Sequence, residues 1–192
     1  MSTLGDLLER RKDTIVERWV DEVLSAYPAD GAALLRQQRD PFANPLGHGV
    51  REGSRGIFGY ILGGMSEESL REHLDQILRI RAVQELTPSQ AVSFVFSLRL
   101  IVREVIPEAE AETRHRDELM ALDRTIDQVA MAAFDLYTAR REELNRIRIN
   151  EVKRQVAWVF YRMNRKAGDS GDVLEDPNHM DPELEYVERE DL

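Results

Sequence analysis

Apolar side chains recur at intervals of three and four residues along most of this chain of 192 residues, the spacing of one face of an α-helix. The pattern predicts helices over about residues 4–26, 32–38, 46–62, 67–85 and 87–105, and a long last helix that begins near residues 110–113 and runs to Lys166. No segment shows the alternation typical of a strand, and no internal repeat is found. The sequence therefore predicts an all-α fold.

Two helix starts are specified by their capping residues. Thr87 can act as an N-cap, Pro88 then falls at the first helical position, and Gln90 stands where a capping box needs it. The Asn44-Pro45 pair predicts a second start of the same kind. Both helices should therefore begin within a residue of these caps.

Glycines lie at regular spacing in the helix predicted over 46–62. Gly56, Gly59 and Gly63 fall on one broad side of it, where the missing side chains leave room for another backbone. Gly63-Gly64 also predicts the end of this helix, and Ser66 predicts the N-cap of the next one. A close contact between helices is expected along this side.

The long last helix carries two apolar seams that are out of phase. The first seam consists of Leu119, Leu122, Ile126, Val129, Ala133 and Leu136, and the second of Ile149, Val152, Val156, Val159 and Met163. The step from Leu136 to Ile149 is 13 residues rather than two heptads, so the seams face different directions. The first seam is expected to complete the core and the second to serve another contact.

The second seam belongs to the predicted interaction surface. The residues predicted for this surface are Ile149, Val152, Val156, Trp158, Val159, Phe160 and Met163. Six of them share one face of the helix, whereas Trp158 lies on another face together with Arg154, Tyr161 and Arg165. Apolar groups on two sides indicate a helix that is covered from two directions. Four interpretations stay open: packing on its own domain, a homodimeric or heteromeric helix interface, an anionic membrane surface, and nucleic acid.

Charge is strongly segregated within a net charge of −10. Residues 1–145 carry a net −7, residues 146–166 a net +6, and residues 167–192 a net −9. An acidic body argues against nucleic-acid binding, and the acidic tail over 168–192, with its prolines, is typical of disorder. The tail, together with the basic helix, is a candidate site for a protein partner.

The composition predicts a soluble, cytoplasmic protein. The chain has no cysteine, so disulfides and thiolate chemistry are excluded. No stretch approaches the roughly 18 apolar residues that suggest a membrane span, and the polar, amphipathic N-terminus does not resemble a signal peptide.

No motif predicts catalysis, a metal or a cofactor. The glycines make no phosphate-binding loop, and the four histidines, His48, His73, His115 and His179, lack metal-ligand spacing. His73 is the best placed axial ligand if a haem were bound. Four aromatic residues, Phe58, Tyr60, Phe94 and Phe96, could line a ligand pocket, although such spacing is more typical of core. We expect no enzymatic activity.

Three motifs carry a family resemblance over about residues 4–145. They are Asp-Pro-Phe-Ala-Asn-Pro-Leu-Gly from Asp40, the glycine-rich run over 53–59, and Arg-Ile-Arg-Ala-Val-Gln from Arg79, which is followed by Thr-Pro-Ser-Gln-Ala-Val. This set resembles the RsbRD-type N-terminal domain of RsbT co-antagonists. The resemblance implies a globin-like fold without haem, dimerisation, and a linker helix that leads to a STAS domain. Here an acidic tail follows the helix, so we expect the STAS threonines of that family to have no counterpart.

The sequence thus predicts three parts: a globin-like domain over 1–140, an extended basic amphipathic helix over 141–167 and the acidic tail over 168–192. We interpret the chain as a non-catalytic sensory or regulatory module that dimerises through the last helix. The first alternative is an accessory or assembly protein on a membrane redox complex of sulfur metabolism. The second is a haem-binding sensor of globin type.

Overall fold

The all-α prediction is confirmed by a computed structural model of the chain. The model describes residues 3–27, 29–38, 40–84, 86–106 and 115–167, and it contains no strand within these ranges. The helices there are α1 (Leu4–Arg10), α2 (Lys12–Ser25), α3 (Ala29–Gln37), α4 (Pro45–Ile61), α5 (Glu67–Ala82), α6 (Pro88–Val105) and α7 (Arg116–Ala167). The predicted start of the last helix and the predicted acidic tail lie outside the described residues.

The capping box at Thr87 is confirmed. The Thr87 hydroxyl accepts from the Gln90 backbone N–H at 3.3 Å, and the Gln90 side-chain oxygen accepts from the Thr87 N–H at 2.9 Å. Pro88 opens the helix at a position where its missing N–H leaves no bond unmade. Two otherwise unpaired backbone donors are therefore satisfied at the start of α6.

Asn44 caps α4 as predicted and also joins it to α3. Its side-chain oxygen accepts from the Gly47 N–H at 2.8 Å. Its amide nitrogen donates to the carbonyls of Leu35 at 2.9 Å and Gln38 at 2.7 Å. Because Asn44 is buried, this one side chain satisfies backbone groups at the end of one helix and at the start of the next.

The single helix predicted over 4–26 is divided in the structure at Arg11. There the backbone leaves helical geometry, with φ −103° and ψ 4°. The first segment has its own capping box, formed by Thr3 and Asp6. Its first backbone N–H, at Leu4, donates to a carboxylate oxygen of Glu118 at 2.7 Å. A contact 114 residues away in the chain therefore holds α1, and helical spacing alone could not indicate it.

Trp19 lies at the centre of the core, where α2 meets α6. It is fully buried, its ring stacks on Phe94 with 5.9 Å between centroids, and its indole N–H donates to the Phe94 carbonyl at 2.6 Å. The indole therefore contributes a large apolar surface without leaving its polar atom unpaired.

Arg81 is a buried cation that joins three helices. Its guanidinium donates to the carbonyls of Val23 at 3.0 Å, Gln90 at 3.1 Å and Ala91 at 3.2 Å. It also lies 4.9 Å from the centroid of the Phe94 ring. Burial lowers its pKa, because desolvation disfavours the charged form. The three carbonyl groups and the Phe94 ring offset part of the free-energy cost of burying the charge.

The glycine-rich side of α4 packs closely on α5. A Cβ atom added at Gly53 would lie 2.9 Å from the His73 carbonyl oxygen, and one added at Gly56 would overlap the His73 ring. Gly56 was predicted at this contact, whereas Gly53 was not. Gly63 has a φ of +83°, the left-handed region that glycine tolerates, and it stands in the turn after α4.

The first half of α7 completes the core, as its first seam predicts. Five of the six seam members, Leu119, Leu122, Ile126, Val129 and Ala133, are buried, and Leu136 is half-buried. Tyr137 is also buried and donates its hydroxyl to the Leu86 carbonyl at 2.9 Å. The described residues divide into two units, one that ends at Glu142 and one that begins at Glu143. Within the part of the chain that the structure describes, no helix is both long and apolar enough to cross a bilayer.

Candidate interaction surface

The predicted interaction residues are all exposed on the C-terminal part of α7. Their exposed fractions run from 46% to 60%. The residues are Ile149 (55%), Val152 (57%), Val156 (47%), Trp158 (46%), Val159 (48%), Phe160 (60%) and Met163 (60%). At 3.6 residues per turn all except Trp158 fall within an arc of about 100°. We call these six residues the apolar seam of α7.

Trp158 lies on the opposite side of the helix from the apolar seam. Its ring is 5.1 Å from the Arg162 guanidinium carbon, within the range of a cation–π contact. Arg162 was not predicted to lie on this face, although residues four positions apart on a helix are neighbours and its spacing from Trp158 indicates the contact. Tyr161 is half-buried and Arg154 is exposed, whereas the Arg165 side chain lies outside the described residues. The second face is therefore only partly apolar.

A second exposed apolar surface, which the sequence analysis missed, lies on α6 and the first half of α7. Its members, Phe96, Leu100, Met120, Met131 and Phe134, are between 43% and 66% exposed. Phe96 and Leu100 are one turn apart on α6, Met131 and Phe134 are one turn apart on α7, and Met120 lies about three turns before Met131 on the same side. This spacing, beside the buried seams, was the available indication.

Ion pairs join the two helices beside this second surface. Arg99 pairs with Asp123 and with Asp127, and Arg103 pairs with Asp123. The Arg99 guanidinium carbon also lies 5.5 Å from the centroid of the Phe96 ring. These contacts hold the exposed apolar side chains on a defined helix pair.

The four aromatic residues considered for a ligand pocket do not share one buried site, and two of them lie in the core, as their spacing favoured. Phe58 and Phe94 are core residues, Tyr60 is half-buried, and Phe96 is 43% exposed. Phe94 is buried and Phe96 is exposed because residues two positions apart on a helix point to nearly opposite sides.

His73, the predicted axial ligand in the haem interpretation, lies between α4 and α5. Its ring packs on the backbone of Gly56, and its Nδ1 is buried without a hydrogen-bond partner among the described residues. Elsewhere in those residues, no group of three or more histidine, cysteine, aspartate or glutamate side chains is arranged to hold a metal. The geometry assigns His73 a packing role at this helix contact.

Comparison with curated proteins and with solved structures yields no match. The family model described as "RsbT co-antagonist protein rsbRD N-terminal domain" matches residues 13–152, which confirms the resemblance carried by the motifs, and the chain belongs to this family.

Proposed function

We propose that this chain is a non-catalytic regulatory module that forms a homodimer through the apolar seam of α7. Its family is one of regulatory co-antagonist domains in signalling. We further propose that residues 1–142 have the globin-like arrangement that the family resemblance implies, and that the module acts in the cytoplasm. The exposed seam is the observation that supports the dimer most directly.

The seam has the composition of a helix–helix contact. Ile149, Val152, Val156, Val159 and Met163 alternate at steps of three and four, the spacing that packs one helix along another. Each is about half exposed in the single chain. Burying an aliphatic side chain of this size completely contributes about 1.5–3 kcal/mol. Covering five half-exposed residues on two copies is therefore a substantial driving force.

Charge opposes this association at low salt. Residues 146–166 carry a net +6, so two paired copies would bring like charges together. Screening reduces that repulsion, because the Debye length falls to about 8 Å near physiological ionic strength. We therefore expect the dimer to strengthen as salt is raised.

The dimer is tested by light scattering coupled to size exclusion, at concentrations on the order of tens of micromolar, where a useful dimer should be populated. The variant Val156→Glu with Val159→Glu places two charges in the seam and should give monomers. Asn150→Glu with Gln155→Glu adds the same charge outside the seam and should remain dimeric. A monomeric wild type at these concentrations would refute the proposal, and so would equal masses for both variants.

The same helix supports a second candidate, peripheral binding to an anionic membrane, as an accessory protein of a membrane complex would need. The supporting observation is an exposed Trp158 and Phe160 on a helix of net charge +6. Co-sedimentation with vesicles that contain phosphatidylserine tests this candidate. Binding by wild type that is lost in the seam variant and absent with neutral vesicles would favour the membrane role.

The haem-free character is tested separately. Haem needs an axial ligand that is free to approach the iron, whereas the His73 ring is packed on Gly56. We therefore expect no Soret band after the purified protein is incubated with hemin and excess hemin is removed. A stable Soret band that His73→Ala abolishes would contradict the proposed function and favour the sensor of globin type.

A further inference from the structure

A small cleft lies between α2, α3 and α4, within residues 1–142. Its volume is about 150 Å³, comparable to an engineered cavity that accepts benzene. Val16 and Val20 form an apolar floor and are buried. Three arginines, Arg36, Arg51 and Arg55, stand on its rim. Five of the seven lining residues are charged and two are apolar, so a ligand of this cleft would need a charged group beside a small apolar part.

Arg51 differs from its neighbours because no carboxylate pairs with it among the described residues. Its Nη2 donates to the carbonyls of Leu35 at 3.0 Å and Arg36 at 2.9 Å, in the last turn of α3. These two bonds hold the guanidinium in place. Its Nη1 and Nε make no hydrogen bond within the same residues and remain as donors for a ligand.

The other two arginines are already engaged by acids. Arg36 donates from Nε to a carboxylate oxygen of Asp21 at 3.0 Å and from Nη2 to the Asp21 carbonyl at 3.2 Å. Arg55 pairs with Glu52 at 2.9 Å. The positive charge that lacks an acidic partner therefore lies at Arg51.

The carboxylates on the rim restrict the charge of a ligand. Asp21 and Glu17 both line the cleft. They would repel an anion of high charge, whereas a single negative charge can lie against Arg51 with its two free donor positions. Because both forks of the guanidinium include Nη2, which is already engaged, a carboxylate oxygen here would accept a single charge-assisted hydrogen bond from Nη1.

We propose that the cleft binds a small monocarboxylate whose apolar part lies on Val16 and Val20 and whose carboxylate is held by Arg51. The volume fits a molecule of about six non-hydrogen atoms, the size of butyrate. This inference is independent of the dimer, because the cleft and the seam share no residue.

Butyrate is the probe, and amide chemical shifts of the full chain, followed by heteronuclear NMR, are the readout. We expect saturable shifts at the amides around Val16, Val20 and Arg51, with a Kd on the order of 1 mM, as is usual for so few atoms. Butyramide has the same size without the charge and should bind about 10- to 100-fold more weakly, because it lacks the charge-assisted pair.

Arg51→Gln removes the charge and, because the side chain is shorter, also the two bonds to the α3 carbonyls; it should weaken butyrate binding by a similar factor of about 10–100. Arg18→Gln is the matched control, since Arg18 lies on α2, outside the cleft lining, and pairs with Glu104. The butyrate and butyramide titrations use the wild-type protein, so the proposal can still be tested if Arg51→Gln folds poorly.

Three results would overturn the proposal. The first is the absence of saturable shifts at the cleft amides with butyrate at about 20 mM, well above the expected Kd. The second is equal binding of butyramide. The third is equally tight binding of chloride or inorganic phosphate, which would make this a site for inorganic anions. The Val156→Glu with Val159→Glu variant should bind butyrate as wild type does, so failure of the dimer and failure of the cleft are distinguishable.

Discussion

Gly56→Ala should destabilise the protein, although alanine is normally the better residue in a helix. A Cβ atom at this position would lie under 3.0 Å from three atoms of the His73 ring, closer than real Cβ atoms approach. Either the ring or the two helices must move for ordinary contact at 3.4 Å or more. The ring is rigid and half-buried, so the adjustment is costly.

The expected magnitude combines two opposing terms. Overpacking a tight contact costs about 1–3 kcal/mol, and replacing glycine by alanine within a helix gains about 1 kcal/mol. The net change for Gly56→Ala is therefore a loss of up to about 2 kcal/mol. Gly49→Ala, on the same helix, is the control, since nothing lies within 4 Å of its added Cβ. It should gain about 0.5–1 kcal/mol.

The assay is urea unfolding followed by circular dichroism, which gives the free energy of unfolding for each variant. The two glycine variants should differ by about 1–3 kcal/mol, the overpacking term alone. A third variant, Gly56→Ala with His73→Ala, removes the ring and should recover most of that difference as a coupling energy. Equal stabilities of Gly56→Ala and Gly49→Ala would refute the close packing of α4 on α5.

Two further predictions concern helix caps and acid. Thr87→Ala should lower the free energy of unfolding by about 0.5–2 kcal/mol, the usual cost of losing an N-cap, and an unchanged urea midpoint would show that α6 does not depend on this cap. The pKa of Glu118 is lowered from its ordinary 4.5, first by the hydrogen bond from His115 and then by the Leu4 N–H. Its contribution to stability is therefore complete above about pH 4.5 and is lost as the pH falls through the lower pKa of the folded state. Glu118→Gln should accordingly be less stable than wild type at neutral pH, and its free energy of unfolding should approach that of wild type in acid. A difference in free energy that stays constant down to about pH 3, roughly a unit below the ordinary pKa range, would contradict this account.

Local rules in the sequence were sufficient for the helices and most of their starts. The caps at Asn44, Ser66 and Thr87 act within three or four residues, so neighbouring sequence specifies them. Apolar periodicity likewise identified the buried first seam of α7 and the exposed second seam. The step of 13 residues between the two seams is enough to show that they face different directions. The family followed from motifs in the same way.

Contacts between residues distant in the chain could not be deduced from the sequence. The break at Arg11 accompanies a bond from Leu4 to Glu118, and the role of Arg81 depends on carbonyls of α2 and α6 that meet only after folding. The identity of Gly53 as a contact glycine required knowing where α5 passes.

The cleft beside Arg51 is also formed by residues that are distant in the chain, so it could not be deduced from the sequence. Its floor comes from α2, its charge from α4, and the carbonyls that hold Arg51 come from α3. Periodicity states which face of each helix is apolar, but it does not state which helices are neighbours or how closely they approach. Helix packing sets those distances, and they decide that Arg51 meets two backbone carbonyls of α3 whereas Arg36 meets Asp21 of α2.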